Sequence, residues 1–227
     1  MTEPFPLSPS LWAATAPPAP PTPPLREGTK VSVCIIGGGY AGLSTALHLS
    51  ERGVDALVLE AQEPGFGGSG RNGGQVIPGL KYDPDELIAK FGEEGGRKLT
   101  AFVRGTADIV FDLIERHRME VPRQRTGWIQ GAHTATAIEL VKKRSEQWER
   151  LGAPVAFLDK AETDRLLGTE KYLGGWIDRR GGAIQPLSYA RGLVKAALDA
   201  GARIHGHSAA TALERKGTRW SVTTEDG

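Results

Sequence analysis

The sequence has a single cysteine, Cys34, so no disulfide can form within the chain. It has no apolar run of about 18 residues, which argues against a membrane-spanning helix. Its 28 basic and 27 acidic residues give a net charge of +1, which favours neither nucleic acid nor a membrane as a partner. The five histidines lack paired metal-ligand spacing, so we predict no metal site. These features predict a soluble, cytoplasmic protein.

Glycine, in contrast, is abundant and patterned. Gly37, Gly39 and Gly42 follow a β-branched run that begins at Val31, and an amphipathic stretch follows them. A Gly-x-Gly-x-x-Gly motif between a predicted strand and a predicted helix is typical of a dinucleotide-binding βαβ unit. Gly37 permits the tight turn, Gly39 lets a pyrophosphate approach the backbone, and Gly42 lets the helix pack close to the strand.

The start of this helix and the end of the next strand complete the predicted site. Tyr40 and Ala41 lie at the helix N-terminus, where free N–H groups and the helix dipole favour phosphate. Glu60 closes the second strand, 18 residues after Gly42. Its carboxylate can accept hydrogen bonds from ribose hydroxyls and would repel a 2′-phosphate, which disfavours NADP.

A second glycine-rich segment, residues 65–75, follows directly. This second loop fits a larger cofactor, which the chain must contact over more of its length. Arg71 can neutralise phosphate charge, and short polar side chains offer further contacts. The predicted cofactor residues of this segment are Ser69, Arg71, Asn72, Gly73 and Gln75. A flexible surface loop is the alternative interpretation.

The motifs GGGYAGLSTALHLSERG, VLEA and GGSGRNGGQ resemble the FAD-dependent amine and amino-acid oxidoreductases of the D-amino-acid oxidase and glycine oxidase type. Within these, the chain is most similar to the gamma-glutamylputrescine oxidoreductases. The resemblance implies FAD as the cofactor, a small-molecule amine or amino acid as the substrate, and hydride transfer from the carbon beside the nitrogen to the flavin. Members of this family are longer, so the resemblance also implies that the chain is an N-terminal fragment.

The resulting fold prediction is α/β. It comprises a Rossmann-like FAD-binding domain, with a parallel sheet, a βαβ unit and a small antiparallel meander, plus part of an α+β substrate domain. We predict a Pro-rich extended tail over residues 1–30. The FAD-binding domain is expected to be discontinuous and incomplete, over residues 31–80 and 184–227. Residues 81–183 would form the partial substrate domain.

Periodicity predicts a short helix from Asp83, as N-cap, to Phe91, and then one long helix with apolar positions from Leu99 to His117. No catalytic residue can be assigned. Aromatic candidates for a substrate cleft, each of which is also compatible with a place in the core, are Tyr172, Trp176 and Tyr189.

Two other functions remain open at this point. One is a truncated, non-catalytic cofactor-binding chain that needs a partner, an alternative that the abrupt C-terminal end favours. The other is an NAD-dependent dehydrogenase, although the second glycine loop argues against this. The oligomeric state cannot be predicted.

Overall fold

The structure is a computed structural model that describes residues 7–225. It divides into two compact units. The first contains the described residues up to Gly74, then Ile114–Pro122, and the described residues from Gln185 onward. The second contains Gln75–Leu113 and Arg123–Ile184. These bounds place Ile114–Pro122 with the first unit, whereas the predicted boundaries put it in the substrate domain.

The helices and strands of the described residues are numbered in chain order. The helices are α1 Leu11–Thr15, α2 Tyr40–Ser50, α3 Pro84–Val103, α4 Thr106–Arg116, α5 Ala135–Arg150, α6 Lys160–Leu167 and α7 Pro186–Asp199. The strands are β1 Val33–Ile36, β2 Ala56–Leu59, β3 Gln75–Val76, β4 Arg123–Gln124, β5 Trp128–Ala132, β6 Val155–Leu158, β7 Gly174–Asp178, β8 Gly182–Ile184, β9 Arg203–His205, β10 Ala210–Lys216 and β11 Arg219–Thr224. None of these helices is long and apolar enough to cross a membrane.

The first unit is built on a parallel sheet with strand order β1-β2-β9. Val33 pairs with Ala56, and Leu57 pairs with Arg203, so β2 is the central strand. All four residues of β2 are buried, as expected for an apolar strand covered on both faces. Helix α2 buries its small apolar face, which includes Leu43 and Leu47. The predicted Rossmann-like βαβ unit with a parallel sheet is confirmed.

The predicted antiparallel meander is a hairpin in the described residues. Strands β10 and β11 pair antiparallel, and Gly217 lies in the turn with a φ of +66°. Glycine tolerates this left-handed conformation because it has no Cβ. Most of the hairpin is exposed, including Trp220 and Leu213.

The second unit is α+β and contains two small antiparallel sheets. Their strand orders are β5-β7-β6 and β3-β8-β4. A cluster of buried apolar residues, which includes Trp148 of α5 and Trp176 of β7, forms the core beside the first of these sheets. Helix α3 begins after Asp83, the predicted N-cap, and is interrupted at Gly92, where φ is +72°. The predicted short helix that ends at Phe91 is therefore confirmed, although α3 resumes after the kink.

The predicted single helix over residues 99–117 is wrong. Helix α3 ends at Val103 and α4 begins at Thr106, whose hydroxyl donates a hydrogen bond of 2.9 Å to the Val103 carbonyl. Gly105 lies in the break, and glycine is a poor helix former. Phe102, which the continuous helix would have buried, is 70% exposed. The apolar periodicity continues across the break because both helices contribute to a core.

The Pro-rich segment is docked on the first unit along most of its described length. The prediction of an extended tail is wrong for Leu11–Thr15, because the Ser10 hydroxyl caps a short helix there. The rest is extended. The Thr22 carbonyl accepts a hydrogen bond of 3.1 Å from the N–H of Gly206, and the N–H of Leu25 donates one of 2.9 Å to the Ser208 hydroxyl.

Candidate cofactor site

The loop between β1 and α2 needs its glycines for different geometric reasons. Gly37 has a φ of +104°, in the left-handed region. A Cβ at Gly42 would overlap the carbonyl oxygen of Gly37, so any larger residue would separate the helix from the strand. A Cβ at Gly39 would lie 2.9 Å from the Ser69 hydroxyl oxygen. The loop therefore presents bare backbone at the N-terminus of α2, which is the surface that a pyrophosphate group needs.

The carboxylate of Glu60 is held against the same loop. Its Oε2 accepts a hydrogen bond of 2.6 Å from the N–H of Gly38, and its Oε1 accepts one of 2.9 Å from the N–H of Gln62. Each carboxylate oxygen has a second acceptor position. The side chain is therefore fixed in place and keeps the capacity to accept hydrogen bonds from two ribose hydroxyls.

The second glycine loop rests on the first. The N–H of Gly65 donates a hydrogen bond of 2.9 Å to the Gly38 carbonyl. The Ser69 hydroxyl, in a 3-10 turn of the second loop, accepts one of 3.0 Å from the N–H of Tyr40. A Cβ at Gly65 would lie 2.8 Å from the Cβ of Ala190, which explains why a glycine is needed there. The two loops form one connected surface in the first unit.

A tyrosine and an asparagine strengthen this connection. The amide of Asn72 donates to the Tyr40 hydroxyl at 3.2 Å and to the Ser69 carbonyl at 2.9 Å. The Tyr40 hydroxyl in turn donates to the Pro186 carbonyl at 2.9 Å. The Tyr40 ring meets Tyr189 edge to face, with 5.1 Å between their centroids. Tyr40 and Asn72 therefore join the two loops to the start of α7.

The same environment affects the acidity of both tyrosines. Burial raises the pKa of Tyr189 to about 12, with a smaller contribution from Tyr40 beside it. Burial also raises the pKa of Tyr40, and the hydrogen bond from Asn72 partly offsets this rise. Both phenols are therefore protonated at neutral pH, which fits a packing role.

The remaining predicted residues are distributed as follows. Arg71 is exposed, with its guanidinium 4.4 Å from the centre of the Phe66 ring, and Gly73 follows it on the exposed loop. Gln75 belongs to the second unit, where it pairs with Ala183 in a sheet. The predicted residues that share the first unit are Gly37, Gly39, Tyr40, Ala41, Gly42, Glu60, Ser69, Arg71, Asn72 and Gly73.

The three aromatic candidates for a substrate cleft have packing roles. Trp176 is 3% exposed in the core of the second unit, and its indole N–H donates to the Gln130 side chain at 3.2 Å. Tyr189 is 5% exposed against Tyr40. The Tyr172 ring lies against Gly131, where a Cβ would come within 2.6 Å of it. Trp176 and Tyr189 are thus buried packing residues, and Tyr172 is half-buried against Gly131 of β5.

Sequence reasoning missed an ion pair beside the second loop. The Arg191 guanidinium lies 3.7 Å from the Glu63 carboxylate and donates a hydrogen bond of 2.6 Å to the Pro17 carbonyl. Periodicity places Arg191 on α7, but no local signal identifies a partner so distant in sequence. Within residues 7–225, no group of three or more His, Cys, Asp or Glu residues is arranged to hold a metal ion.

Comparison with known proteins assigns the class. Residues 32–227 match the family model described as FAD dependent oxidoreductase, and the chain belongs to this family. It is 35% identical over 206 residues to gamma-glutamylputrescine oxidoreductase of Escherichia coli (strain K12), which covers 90% of this chain and 48% of that protein. It is 36% identical over 191 residues to the probable oxidoreductase OrdL of Haemophilus influenzae, which covers 82% of this chain and 43% of that protein.

A solved structure agrees on the fold. Glycine oxidase from Geobacillus kaustophilus superposes with a TM-score of 0.71 at 20% identity, over 87% of this chain and 52% of that chain. The chain spans about half the length of the curated relatives it matches. The predicted family, its FAD cofactor and its fold class are confirmed, and the match favours FAD over the NAD alternative.

Proposed function

We propose that this chain binds FAD through its two joined glycine loops, and that the protein oxidises a carbon–nitrogen bond of a small amine or amino acid. The hydrogen bond from Gly38 to Glu60 is the observation on which this most depends, since it sets a carboxylate beside bare backbone at a helix N-terminus. The first turn of α2 would hold the pyrophosphate, and Glu60 would hold the adenosine ribose. Arg71 would balance phosphate charge.

Bound FAD would supply the hydride acceptor, and the chain would bind and orient it. Tyr40, Asn72 and Ser69 contribute by fixing the second loop on the first, so that the cofactor meets a preformed surface. We assign no catalytic residue. The phenols nearest the loops have raised pKa values, and Glu60 is held by backbone N–H groups.

Gamma-glutamylputrescine is the first substrate to test, because a relative at 35% identity is named for its oxidation. We also propose a cytoplasmic location, which the single, partly buried Cys34 supports. Burial raises the pKa of its thiol, which makes Cys34 less reactive.

The test supplies the purified chain with FAD, removes unbound cofactor by gel filtration, and records the flavin absorbance. The variant Gly39→Val places a side chain on the expected path of the pyrophosphate. The control Gly28→Val adds the same side chain where a Cβ meets nothing within 4 Å. We expect the parent chain and the control to retain FAD and Gly39→Val to lose it.

Adding gamma-glutamylputrescine then tests the activity. Bleaching of the bound flavin would support the proposed oxidation. If the flavin binds but the amine does not bleach it, the proposed cofactor site stands and gamma-glutamylputrescine is rejected as a substrate of this chain. This result would favour the non-catalytic alternative. A folded parent chain that retains no FAD would refute the proposal.

A further inference from the structure

Helix α7 packs directly on the turn that opens the second glycine loop. In this turn the N–H of Phe66 donates a hydrogen bond of 3.0 Å to the Glu63 carbonyl. A Cβ at Gly65, inside the turn, would lie 2.8 Å from the Cβ of Ala190. The N–H of Gly65 also donates to the Gly38 carbonyl at 2.9 Å. The turn therefore connects α7 with the first glycine loop.

Arg191, the next residue of α7, contacts the same turn through its charge. Its guanidinium lies 3.7 Å from the carboxylate of Glu63, and the two side chains are 12% and 27% exposed. An ion pair shielded to this degree is screened by solvent less than a pair on the open surface. Removing either partner would leave the other charge partly buried without its counter-ion, which destabilises the arrangement.

The Pro-rich segment also holds the Arg191 side chain. Nη1 of Arg191 donates a hydrogen bond of 2.6 Å to the Pro17 carbonyl. Gln185, at the N-terminus of α7, donates to the Trp12 carbonyl at 2.8 Å and to the Thr15 hydroxyl at 3.2 Å. The segment therefore binds α7 at two positions, and one of them is the guanidinium of the ion pair.

The turn supports residues of the proposed cofactor site. The Arg71 guanidinium lies 4.4 Å from the centre of the Phe66 ring, which is a cation–π contact. A shift of the turn would move Phe66 and the arginine that rests on it. The same shift would disturb the hydrogen bond from Gly65 to Gly38, whose own N–H donates to Glu60. The position of the turn therefore affects both the proposed phosphate contact and the proposed ribose contact.

We propose that Arg191 is a positioning residue of the cofactor site, an inference that rests on the proposed function. It acts through Glu63, because the ion pair holds the turn where Arg71 and Glu60 can meet the cofactor. The Pro-rich segment keeps the guanidinium in place through the Pro17 carbonyl. No contact between Arg191 and FAD is required.

The test compares Arg191→Gln and Glu63→Gln, alone and combined, in the whole chain. We expect each single variant to raise the Kd for FAD about tenfold, and the double variant to bind no more weakly than the single variants.

Arg203→Gln is the matched control. Arg203 also forms an ion pair, at 2.7 Å with Asp55, and also donates to the Pro-rich segment. It lies at the N-terminal end of the parallel strands, whereas the glycine loops follow their C-terminal ends. We expect this control to lower the melting temperature and to leave the Kd for FAD unchanged.

Hydrogen–deuterium exchange of the cofactor-free chain gives a readout that does not depend on FAD. The Gly65 amide should exchange about tenfold faster in Arg191→Gln than in the parent chain, and at the parent rate in Arg203→Gln. An unchanged exchange rate in Arg191→Gln would overturn the inference.

The FAD titration gives two further outcomes against the inference. A parent chain that binds FAD with an affinity that Arg191→Gln leaves unchanged would overturn it, as would an equal loss of affinity in Arg203→Gln. A folded parent chain that binds no FAD would instead refute the proposed function, and the exchange of Gly65 would then decide whether Arg191 holds the turn.

Discussion

The substitution Glu60→Gln converts one carboxylate oxygen into an NH₂ donor and removes a negative charge. In the protein, the two oxygens accept hydrogen bonds from two different backbone N–H groups, those of Gly38 at 2.6 Å and Gln62 at 2.9 Å. Glutamine has a single oxygen, so one of these N–H groups must lose its partner. A hydrogen bond to a charged group contributes about 1.5–3 kcal/mol. We therefore expect the free energy of unfolding to fall by about 2 kcal/mol even without cofactor.

Urea denaturation of the cofactor-free chain measures this loss, and an FAD titration of the same variant measures the loss of affinity. Glu214→Gln is the control, because Glu214 is 69% exposed in its ion pair with Lys216. This control should change the unfolding free energy by less than about 0.5 kcal/mol. If Glu60→Gln left stability unchanged, the reasoning that its carboxylate holds the loop would be refuted. An unchanged FAD affinity would remove Glu60 from the proposed ribose contact.

Three further predictions concern the first unit. Gly42→Ala should destabilise the chain by about 3 kcal/mol or more in a denaturant titration, because its Cβ would overlap the Gly37 carbonyl oxygen. Tyr189 has a pKa of about 12 when folded against a usual 10.0, so the folded chain holds this proton more tightly. The stabilising contribution of this proton is complete below pH 10 and declines as pH rises towards 12. Tyr189→Phe should therefore make the melting temperature depend less on pH between 10 and 12. Gln185→Ala should cost about 1–3 kcal/mol of unfolding free energy, since the buried amide caps α7 and donates to the Trp12 carbonyl at 2.8 Å.

The parallel sheet could be predicted because its signals are local. A short β-branched run, a glycine turn and a helix with a small apolar face follow one another between Val33 and Leu59. Each of these segments requires its conformation almost independently of the rest of the chain. The structure pairs β1 with β2 in parallel, as that pattern predicts.

The features that could not be predicted depend on contacts between distant segments. The hydrogen bond from Asn72 to Tyr40 joins residues 32 positions apart, and no periodicity indicates it. The break before Thr106 was missed because the apolar spacing of α3 continues into α4. Arg97, Arg104 and Arg150 line one cavity because α3 and α5 pack together, and their spacing in the sequence does not indicate this.

The docked Pro-rich segment also bears on aggregation. Strand β9 lies at one end of the parallel sheet among the described strands, and an exposed strand edge is a template for pairing with another molecule. The segment lies beside that edge, with the Pro23 carbonyl 2.9 Å from the His205 ring nitrogen and the Thr29 hydroxyl 2.8 Å from the Arg203 guanidinium. Proline has no N–H, so such a segment covers an edge without offering a continuous new one. The prolines of this segment therefore leave few N–H groups beside β9 with which another molecule could pair.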